Sequence, residues 1–425
     1  MPATDTIVFM FLGAEPVPAG RLVMTSEPRA SFATFTYGRR YLERPDRIPI
    51  DPVQLPLPEP GQNIVFRTEE GFSVFNGIRD AAPDGWGRYL MYKALDDREP
   101  TEAEILLASG DYRVGALAFG PTPAGPQRLT PWGDGAAPGE HFTLEELAAA
   151  VERVQSVDEL DDNLRRLLTA GSSLGGARPK AATEVVGQPW IAKFPANDDI
   201  YPICRVELAT MRLAKRCGLD VPNLDFREVL GRDIYMIERF DRTLTANGVE
   251  RQAFGSGLTL LGAHESDVGR HSYADLAEAL RRYGADPRGD LLELFRRMVF
   301  NILVTNDDDH LRNHGFLWRP RGWRLSPLYD VVPKPQVAQE RTLVLGVGPR
   351  GREASLENAI EGAAAFGLNR EEAVAVSLRL VDLVRDEWER HFRGAGLGDG
   401  EIRRFATCFR QADLGRDLLT GGGAG

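Results

Sequence analysis

The sequence predicts an α+β fold with a mixed β-rich N-terminal part and an all-helical C-terminal lobe. Over residues 1–119, short apolar runs such as TIVFMFLG and SFATFTYG alternate with Pro/Gly-rich turns, a pattern typical of strands. After about residue 270, apolar residues recur at helical spacing in SYADLAEALRRYG, DLLELFRRMVFNILV and REEAVAVSLRLVDLVRDEWERHF. We therefore expect a smaller mixed part followed by a larger helical part.

Length and composition limit the number of domains and the class of protein. A chain of 425 residues is too long for one ordinary core, and about 150 residues per domain predicts two or three units. With 43% hydrophobic and 27% charged residues, the chain should fold. Its 51 basic and 62 acidic residues give a net charge of -11, which argues against a broad nucleic-acid surface because such a surface needs clustered Lys and Arg.

The cysteines and the N-terminal segment bear on the compartment. The three cysteines have no CxxC spacing, so they predict neither a disulfide framework nor a zinc site, and they fit a reducing cytoplasm. The apolar residues 7–12 are too few for a membrane span or a signal-peptide core. We expect them to form the first strand of a cytoplasmic protein without membrane contact.

Shifts in composition divide the chain into four predicted segments. Residues 1–119 form the β-rich N-terminal module, with some helix near GWGRYLMYKAL. Residues 120–139 are dense in Gly and Pro and predict a linker or surface loop. From residue 140, a helix capped by Thr143 and Glu146 is followed by a hairpin, EVV and PWIAKF around Gly-Gln. After about residue 270 the pattern becomes helical.

A glycine-rich stretch, TAGSSLGGARPKA, spans residues 169–181. It matches neither the P-loop spacing GxxxxGK[ST] nor the kinase pattern GxGxxG, and an ordinary tight turn explains it equally well. Ser172, Gly175 and Gly176 would nevertheless let the backbone approach an anion closely, with Lys180 nearby. The stretch is a candidate phosphate loop if other residues agree.

Lys193 lies in the predicted strand WIAKFP. Strand alternation places Ile191 and Lys193 on one face, and Ala192 and Phe194 on the other. A lysine on a short strand is usually a solvated edge residue that discourages further pairing. The order apolar-Ala-Lys also resembles the kinase strand lysine that contacts nucleotide phosphates.

The stretch NDDDHLRNH covers residues 306–314, directly after an apolar run. One interpretation is a helix that ends in a solvated acidic loop, since Asn and Asp suit turns. The other is catalytic, because Asp308 precedes Asn313 by five positions, as the catalytic aspartate precedes the metal-binding asparagine in the kinase pattern HRDxxxxN. Asp330, in RLSPLYDVV, then stands where a kinase places its magnesium aspartate, although the glycine of DFG is absent.

A histidine metal site is an alternative for the same stretch. His310 and His314 are spaced i and i+4, which would place both on one face of a helix. The intervening Glu of HExxH and an obvious third ligand are missing, so the spacing favours the kinase interpretation.

Five segments in order over residues 170–335 resemble the HipA family of bacterial serine/threonine kinases, the toxin components of type II toxin-antitoxin systems: SSLGGARPK, IAKFP, MIERFDR, NDDDHLRN and LSPLYDVV. The segment FNGIRDAAPDGWGR, residues 75–88, is similar to the β-rich module that precedes the kinase core in that family. The resemblance implies a protein-kinase-like bilobal fold that uses ATP and Mg²⁺. Residues 140–242 would be the N-lobe with phosphate loop and hinge, and residues 243–425 the helical C-lobe with the catalytic loop.

The resemblance also implies residue roles. Asp308 would be the catalytic base, Asn313 and Asp330 the magnesium ligands, and Lys193 the catalytic lysine on the nucleotide phosphates. His310 would brace the catalytic loop. The residues implied at the cofactor are those of the phosphate loop, the two lysines, the hinge and this histidine: Ser173, Leu174, Gly175, Gly176, Ala177, Lys180, Lys193, Glu238, Phe240, Asp241 and His310.

The implied activity is transfer of the ATP γ-phosphoryl group to a Ser or Thr of a protein. Some members of the family phosphorylate aminoacyl-tRNA synthetases and so inhibit growth, and a HipB-like DNA-binding antitoxin neutralises the toxin. DNA would then be contacted only indirectly, through that antitoxin. Ser173 stands where family members autophosphorylate, and a dianion there would expel the loop from ATP as an off switch. Two other classes stay open: a pseudokinase-like module that binds nucleotide or antitoxin without turnover, and a metal-dependent phosphohydrolase.

Overall fold

The computed structural model describes most of the chain: residues 3–26, 31–59, 61–110, 112–130, 142–156, 171, 175–246, 248–336, 338 and 340–420. These residues form two compact units. The first unit comprises Met1–Asp198 and Arg227–His264, and the second comprises Asp199–Phe226 and Glu265–Gly425. The segment boundaries at 119, 139 and 242 stay predictions.

The strands are β1 (Ala3–Leu12), β2 (Glu15–Ser26), β3 (Ser31–Tyr37), β4 (Phe66–Arg67), β5 (Leu117–Gly120), β6 (Lys180–Val185), β7 (Gln188–Lys193), β8 (Leu224–Val229), β9 (Arg232–Glu238), β10 (Arg242–Thr245), β11 (Gly248–Arg251), β12 (Phe254–Ser256), β13 (Gly315–Arg319) and β14 (Gly322–Leu325). The α-helices are α1 (Arg39–Leu42), α2 (Asn76–Arg79), α3 (Gly85–Ala94), α4 (Glu102–Ala108), α5 (Leu144–Ser156), α6 (Ile203–Arg216), α7 (Gly257–Leu261), α8 (Tyr273–Tyr283), α9 (Pro287–Val304), α10 (Leu356–Glu361), α11 (Arg370–Gly394), α12 (Asp399–Phe405) and α13 (Arg410–Thr420).

The first unit begins with a five-stranded sheet of order β4-β3-β2-β1-β5. Its strands are antiparallel, with Ile7 opposite Arg21 and Val8 opposite Phe119. Burial alternates along β3, because successive side chains of a strand point to opposite faces. The predicted first strand is confirmed as β1, and the predicted helix near GWGRYLMYKAL is confirmed as α3.

The second sheet has the order β6-β7-β9-β8. The predicted hairpin is confirmed, but its turn is Val186-Gly187, one residue earlier than the Gly-Gln of the prediction. Both turn residues have positive φ, 51° and 78°, as a two-residue hairpin turn requires. Helix α5 packs on this sheet, and Leu147 and Val151 share a core cluster with Ala192 and other buried apolar side chains.

The start of α5 confirms the predicted capping box. The Glu146 backbone N-H donates to Thr143 Oγ1 at 3.2 Å, and the Thr143 N-H donates to Glu146 Oε2 at 2.8 Å. These bonds satisfy two donors that a helix start otherwise leaves without partners.

The second unit is mainly helical. Helix α9 starts with Pro287 in its first turn and is almost wholly buried from Met298 to Val304. Helix α11 is 25 residues long and has a capping box of Asn369 and Glu372. A helix with apolar residues on most sides is expected at the centre of a unit, and α9 occupies such a position.

The expectation of an all-helical part after residue 243 is wrong in detail. Strands β13 and β14 form an antiparallel hairpin with Phe316 opposite Leu325, and β10 and β11 form another. Trp318 and Trp323 pair across the first hairpin with ring centroids 5.5 Å apart. Alternating aromatic residues on both sides of the turn RPRG carried this signal, and the strong helical periodicity that follows obscured it. The coarser prediction, an α+β fold, is confirmed.

Among the described helices, none is both long and apolar enough to cross a membrane.

Candidate functional site

Two lysines lie opposite each other at one end of the β6-β7 hairpin. Lys180 and Lys193 are register partners, and their residues are only 6% and 8% exposed. The Lys193 ammonium lies 5.7 Å from the centre of the Tyr235 ring, on the neighbouring strand β9. Burying two like charges side by side is costly unless negative charge balances them. The hairpin thus brings two cationic side chains to one place, and their contact with nucleotide phosphates stays a prediction.

Gly176, in the described part of the glycine-rich stretch, lies against Lys180. Gly176 has φ of 102°, a conformation that side chains rarely adopt. A Cβ atom on Gly176 would collide with Lys180 Nζ, so the ammonium group lies directly against the glycine backbone. Gly175 and Ala177 flank this contact. Ser173 and Leu174 lie outside the described residues, and their roles stay predictions.

The predicted hinge begins at the last residue of β9. Glu238 is the last residue of β9 and lies opposite Trp190 on β7. The ring centroids of Phe240 and Phe254 are 6.5 Å apart. The side chains of Glu238 and Phe240 are both half-buried. Their backbone contacts to adenine stay a prediction.

Asp241 lies in a buried hydrogen-bond network. It is 4% exposed, and both of its carboxylate oxygens accept hydrogen bonds from Arg239, with Arg242 and the Gly115 N-H also donating to Oδ2. Burial alone raises the pKa of Asp241, but the two guanidinium groups outweigh it and hold the pKa well below its usual range. With both oxygens engaged in this network, the carboxylate joins neighbouring segments of the first unit, and the expected position of Asp241 near ribose stays a prediction.

The acidic loop begins where α9 ends, in the second unit. Thr305 follows the helix with φ of 56°, and this left-handed residue stops the helix and turns the chain. Asn306 is buried and donates from Nδ2 to Asn301 Oδ1 at 3.1 Å. The loop is thus tied to the rigid buried helix, which is how scaffolds hold functional loops in place.

Asp308 and Asn313 are brought together within this loop. Asn313 Nδ2 donates to the Asp308 carbonyl oxygen at 2.7 Å, and the Asn313 N-H donates to the His310 carbonyl oxygen at 2.8 Å. The Asp308 side chain reaches solvent, whereas Asn313 and His310 are half-buried. The five-residue spacing therefore closes a compact turn that presents one carboxylate.

Several titratable side chains influence the Asp308 carboxyl group. Burial of its carboxyl group raises the pKa of Asp308, and the neighbouring His310 side chain opposes this increase. The negative charges of Asp330 and Asp307 raise the pKa of Asp308 further, and Lys334 lowers it. The structure thus brings Asp330, whose own φ is 59°, close enough to Asp308 to interact with its charge.

The family model of the HipA-like C-terminal domain matches residues 172–388, just over half of the chain. The chain belongs to the HipA family. It is 28% identical over 360 residues to the putative kinase Y4mE of Sinorhizobium fredii. This alignment covers 77% of this chain and 79% of that protein. It is also 28% identical over 144 residues to the serine/threonine-protein kinase toxin HipA of Shewanella oneidensis, covering 30% of this chain and 33% of the toxin.

A solved structure of HipA from Shewanella oneidensis, in complex with HipB and operator DNA, matches with a TM-score of 0.70. The match covers 97% of each chain at 18% identity, so it shows a shared fold. The match covers the N-terminal module as well as the C-terminal domain of this HipA-family chain.

The donors in the loop suit a magnesium ion. If Asn313 and Asp330 hold the ion, Asn313 would use its Oδ1, because its Nδ2 donates to Asp308, and Asp330 would use its carboxylate. Magnesium prefers oxygen ligands of this kind. Within the described ranges, no group of three or more His, Cys, Asp or Glu side chains is arranged to hold a metal.

Two residues of the stretch have roles that sequence reasoning missed. Asp309 is fully buried and accepts a hydrogen bond from the Val344 N-H at 2.7 Å, and burial raises its pKa to about 6. His314 is buried with its ring edge-on to Tyr273, centroids 5.3 Å apart, and burial lowers its pKa to about 3. Both side chains therefore belong to the interior of the second unit in this HipA-family protein, whereas Asp308 is exposed.

Proposed function

We propose that this HipA-family protein is an ATP-dependent serine/threonine protein kinase. The loop that presents Asp308, closed by Asn313 and surrounded by the charges of Asp307 and Asp330, carries the proposal. The relatives named as putative kinases and as a serine/threonine-protein kinase toxin support it.

In this proposal the first unit holds the nucleotide. The ammonium groups of the buried Lys180 and Lys193 offset the negative charge of the phosphates, and the Gly176 backbone lies directly against the Lys180 ammonium group. The backbone at Glu238 and Phe240 contacts adenine. Preorganised positive charge in a partly dry site stabilises developing charge better than water does.

The second unit supplies the catalytic loop. Asp308 orients the hydroxyl of the acceptor and takes its proton as the hydroxyl oxygen bonds to the γ-phosphorus. The bond from the γ-phosphorus to the β-γ bridging oxygen breaks, and ADP leaves. Asn313 holds Asp308 in place, and His310 braces the turn through its carbonyl oxygen. A magnesium ion held by Asn313 and Asp330 would neutralise charge on the phosphates.

The biological role follows from the relatives. The Shewanella toxin is found with HipB and operator DNA. We propose that a HipB-like antitoxin neutralises this chain in the same way, and that contact with DNA occurs through the antitoxin. The substrate would be a cytoplasmic protein, with an aminoacyl-tRNA synthetase as the first to test, and autophosphorylation of Ser173 would switch the enzyme off.

Mass spectrometry of intact protein and of peptides tests the activity. The protein is first treated with phosphatase and then incubated with magnesium and ATP, beside Asp308→Asn and the control Asp399→Asn, an exposed aspartate elsewhere in the second unit. We expect the wild type and the control to gain phosphate on the protein, and Asp308→Asn to gain none while still binding ATP. Phosphate gain by Asp308→Asn at the wild-type rate would refute the role of Asp308.

Two outcomes would favour the other classes. ATP binding without phosphate gain by any protein, even with a candidate substrate present, would support a module that binds without turnover. Release of free phosphate at the expense of protein phosphorylation would support a phosphohydrolase.

A further inference from the structure

The N-terminal module contacts the phosphate loop directly. Residues 84–86, Asp-Gly-Trp, precede and begin helix α3 and lie against Gly175, Gly176 and Ala177 within the first unit. The two segments are about ninety positions apart in the chain, so neither motif alone predicts this contact.

Both backbone polar groups of Gly176 are bound by this segment. The Gly176 N-H donates to Asp84 Oδ1, and the Trp86 N-H donates to the Gly176 carbonyl oxygen at 2.8 Å. A hydrogen bond to a carboxylate is stronger than one between neutral groups. Hydrogen bonds to both the N-H and the carbonyl oxygen of one residue fix the two peptide units that meet at Gly176.

Steric contact supports the same conclusion. A Cβ atom on Gly85 would lie 2.7 Å from the Gly176 carbonyl oxygen and 2.8 Å from Ala177 Cα. A Cβ on Gly175 would lie 2.8 Å from Asp84 Oδ1. These distances are too short for a side chain, so the two backbones pack without one between them.

The segment that holds the loop is itself anchored. Trp86 is buried in the core cluster that also contains Leu147 and Ala192. Four residues before Asp84, the Asp80 carboxylate accepts hydrogen bonds from the Ser256 N-H at 2.6 Å and the Ser256 hydroxyl at 2.8 Å. A group fixed by packing and hydrogen bonds can position another group accurately.

We propose that Asp84 is a positioning residue that holds the phosphate loop in the shape that receives the nucleotide phosphates. This inference rests on the proposed function, and it makes the N-terminal module part of the nucleotide site. Asp84 acts through Gly176, whose position against Lys180 sets where the ammonium group meets the phosphates. Loss of Asp84 therefore weakens the phosphate contribution to binding and leaves the nucleoside contribution unchanged.

The test compares ATP with adenosine, which lacks phosphates. Calorimetric affinities are measured for the full-length wild type, Asp84→Ala and Asp84→Asn, with Asp46→Asn, at an exposed aspartate of the first unit, as the control. For Asp84→Ala we expect ATP affinity to fall about tenfold, the size expected for loss of a charge-assisted hydrogen bond, with adenosine affinity unchanged. Asp84→Asn keeps an acceptor oxygen and should lose less. Asp46→Asn should leave the affinities for both ligands unchanged.

Hydrogen exchange of the peptide containing Gly176 gives a readout without nucleotide. We expect this peptide to exchange faster in Asp84→Ala than in the wild type, because the Gly176 N-H loses its acceptor. Equal exchange, unchanged ATP affinity, or an equal loss of ATP and adenosine affinity would overturn the positioning role. Failure of the wild type to bind ATP would instead overturn the proposed function, so the two failures are distinct.

Discussion

Asn313 donates its side-chain amide to the carbonyl oxygen of Asp308 at 2.7 Å, which closes the acidic loop. In the proposed kinase, the amide oxygen of the same side chain would bind the cation. The two tasks use different atoms of one amide. This explains why an asparagine suits the position, since aspartate would lose the donor and leucine would lose both functions.

Replacement of Asn313 should therefore damage catalysis more than folding. We expect Asn313→Ala to lower kcat by about 100-fold, because even a small displacement of a catalytic group costs this much. Steady-state phosphorylation rates and thermal unfolding measure the two effects. Asn223→Ala, on the surface of the same unit, is the control. A variant with full kcat would show that the bond to Asp308 is dispensable.

The lysine pair should bind polyphosphate without a nucleoside. We expect tripolyphosphate to raise the thermal midpoint of the wild type, since a ligand that binds only the folded state stabilises it. Lys193→Met and Lys180→Met should each reduce this rise, whereas the exposed Lys215→Met should retain it. Scanning fluorimetry measures the shift. If the two buried-lysine variants respond like the control, the pair is not an anion site.

The network around Asp241 should be important for stability. Asp241→Asn leaves Arg239 and Arg242 buried without their counter-charge, and we expect a loss of about 3 kcal/mol or more in the free energy of unfolding. Asp46→Asn, at an exposed pair with Arg44, should cost below about 1 kcal/mol. Denaturant titration compares them. Similar costs for both variants would contradict a structural role for Asp241. Because the pKa of Asp241 is lowered in the folded state, its contribution to stability should also be lost as pH falls through the acidic range.

The raised pKa of Asp51 predicts the opposite dependence of stability on pH. It is fully buried, and burial raises its pKa to about 6, although backbone N-H groups of Val53, Gln54 and Gly77 oppose the shift. The folded state therefore retains a proton that the unfolded state has released, so this contribution to stability falls by about 3 kcal/mol as pH rises from about 4 to 6.

The difference between the wild type and Asp51→Asn isolates this effect. We expect the unfolding free energy of the wild type relative to the variant to decline between pH 4 and 6 and to level off above that range. A flat difference across this range would mean that Asp51 is charged in the folded protein.

The hairpin turn offers a stabilising substitution. Val186 is 95% exposed and β-branched, yet its φ is 51°. Asparagine tolerates this conformation better, and Asn-Gly is the favoured sequence for such a turn. We expect Val186→Asn to raise the free energy of unfolding by about 1 kcal/mol, an increase of about 2 to 4 °C in the midpoint of the first unit. The exposed Val249→Asn, away from the turn, is the control, and a lower midpoint for Val186→Asn would contradict the prediction.

Several elements could be predicted because their signals are local. Thr143 and Glu146 are three positions apart, and the residues of the β6-β7 turn are adjacent, so the sequence shows the whole interaction. The five-residue spacing of Asp308 and Asn313 is local in the same sense. The hairpin of β13 and β14 was equally local, but its alternation is short beside the long helical pattern around it.

The environment of a charged residue could not be predicted in this way. Asp241 follows a hinge-like segment, and its position alone favoured a contact with ribose. Its carboxylate bonds to Arg239, Arg242 and the Gly115 N-H, and the last of these is 126 positions away in the chain. Whether a carboxylate is structural or binds a ligand depends on such partners.

The sequence by itself determined the helices, the hairpin around residue 187, the lysines and the spacing of the acidic loop, because these depend on residues within a few positions of one another. Only the tertiary structure decided that Lys180 and Lys193 are both buried, and that Asp84 holds Gly176 across 92 positions. Burial and long-range hydrogen bonds arise when distant segments pack together, and the free energy of that packing is a property of the whole unit, which no short pattern contains.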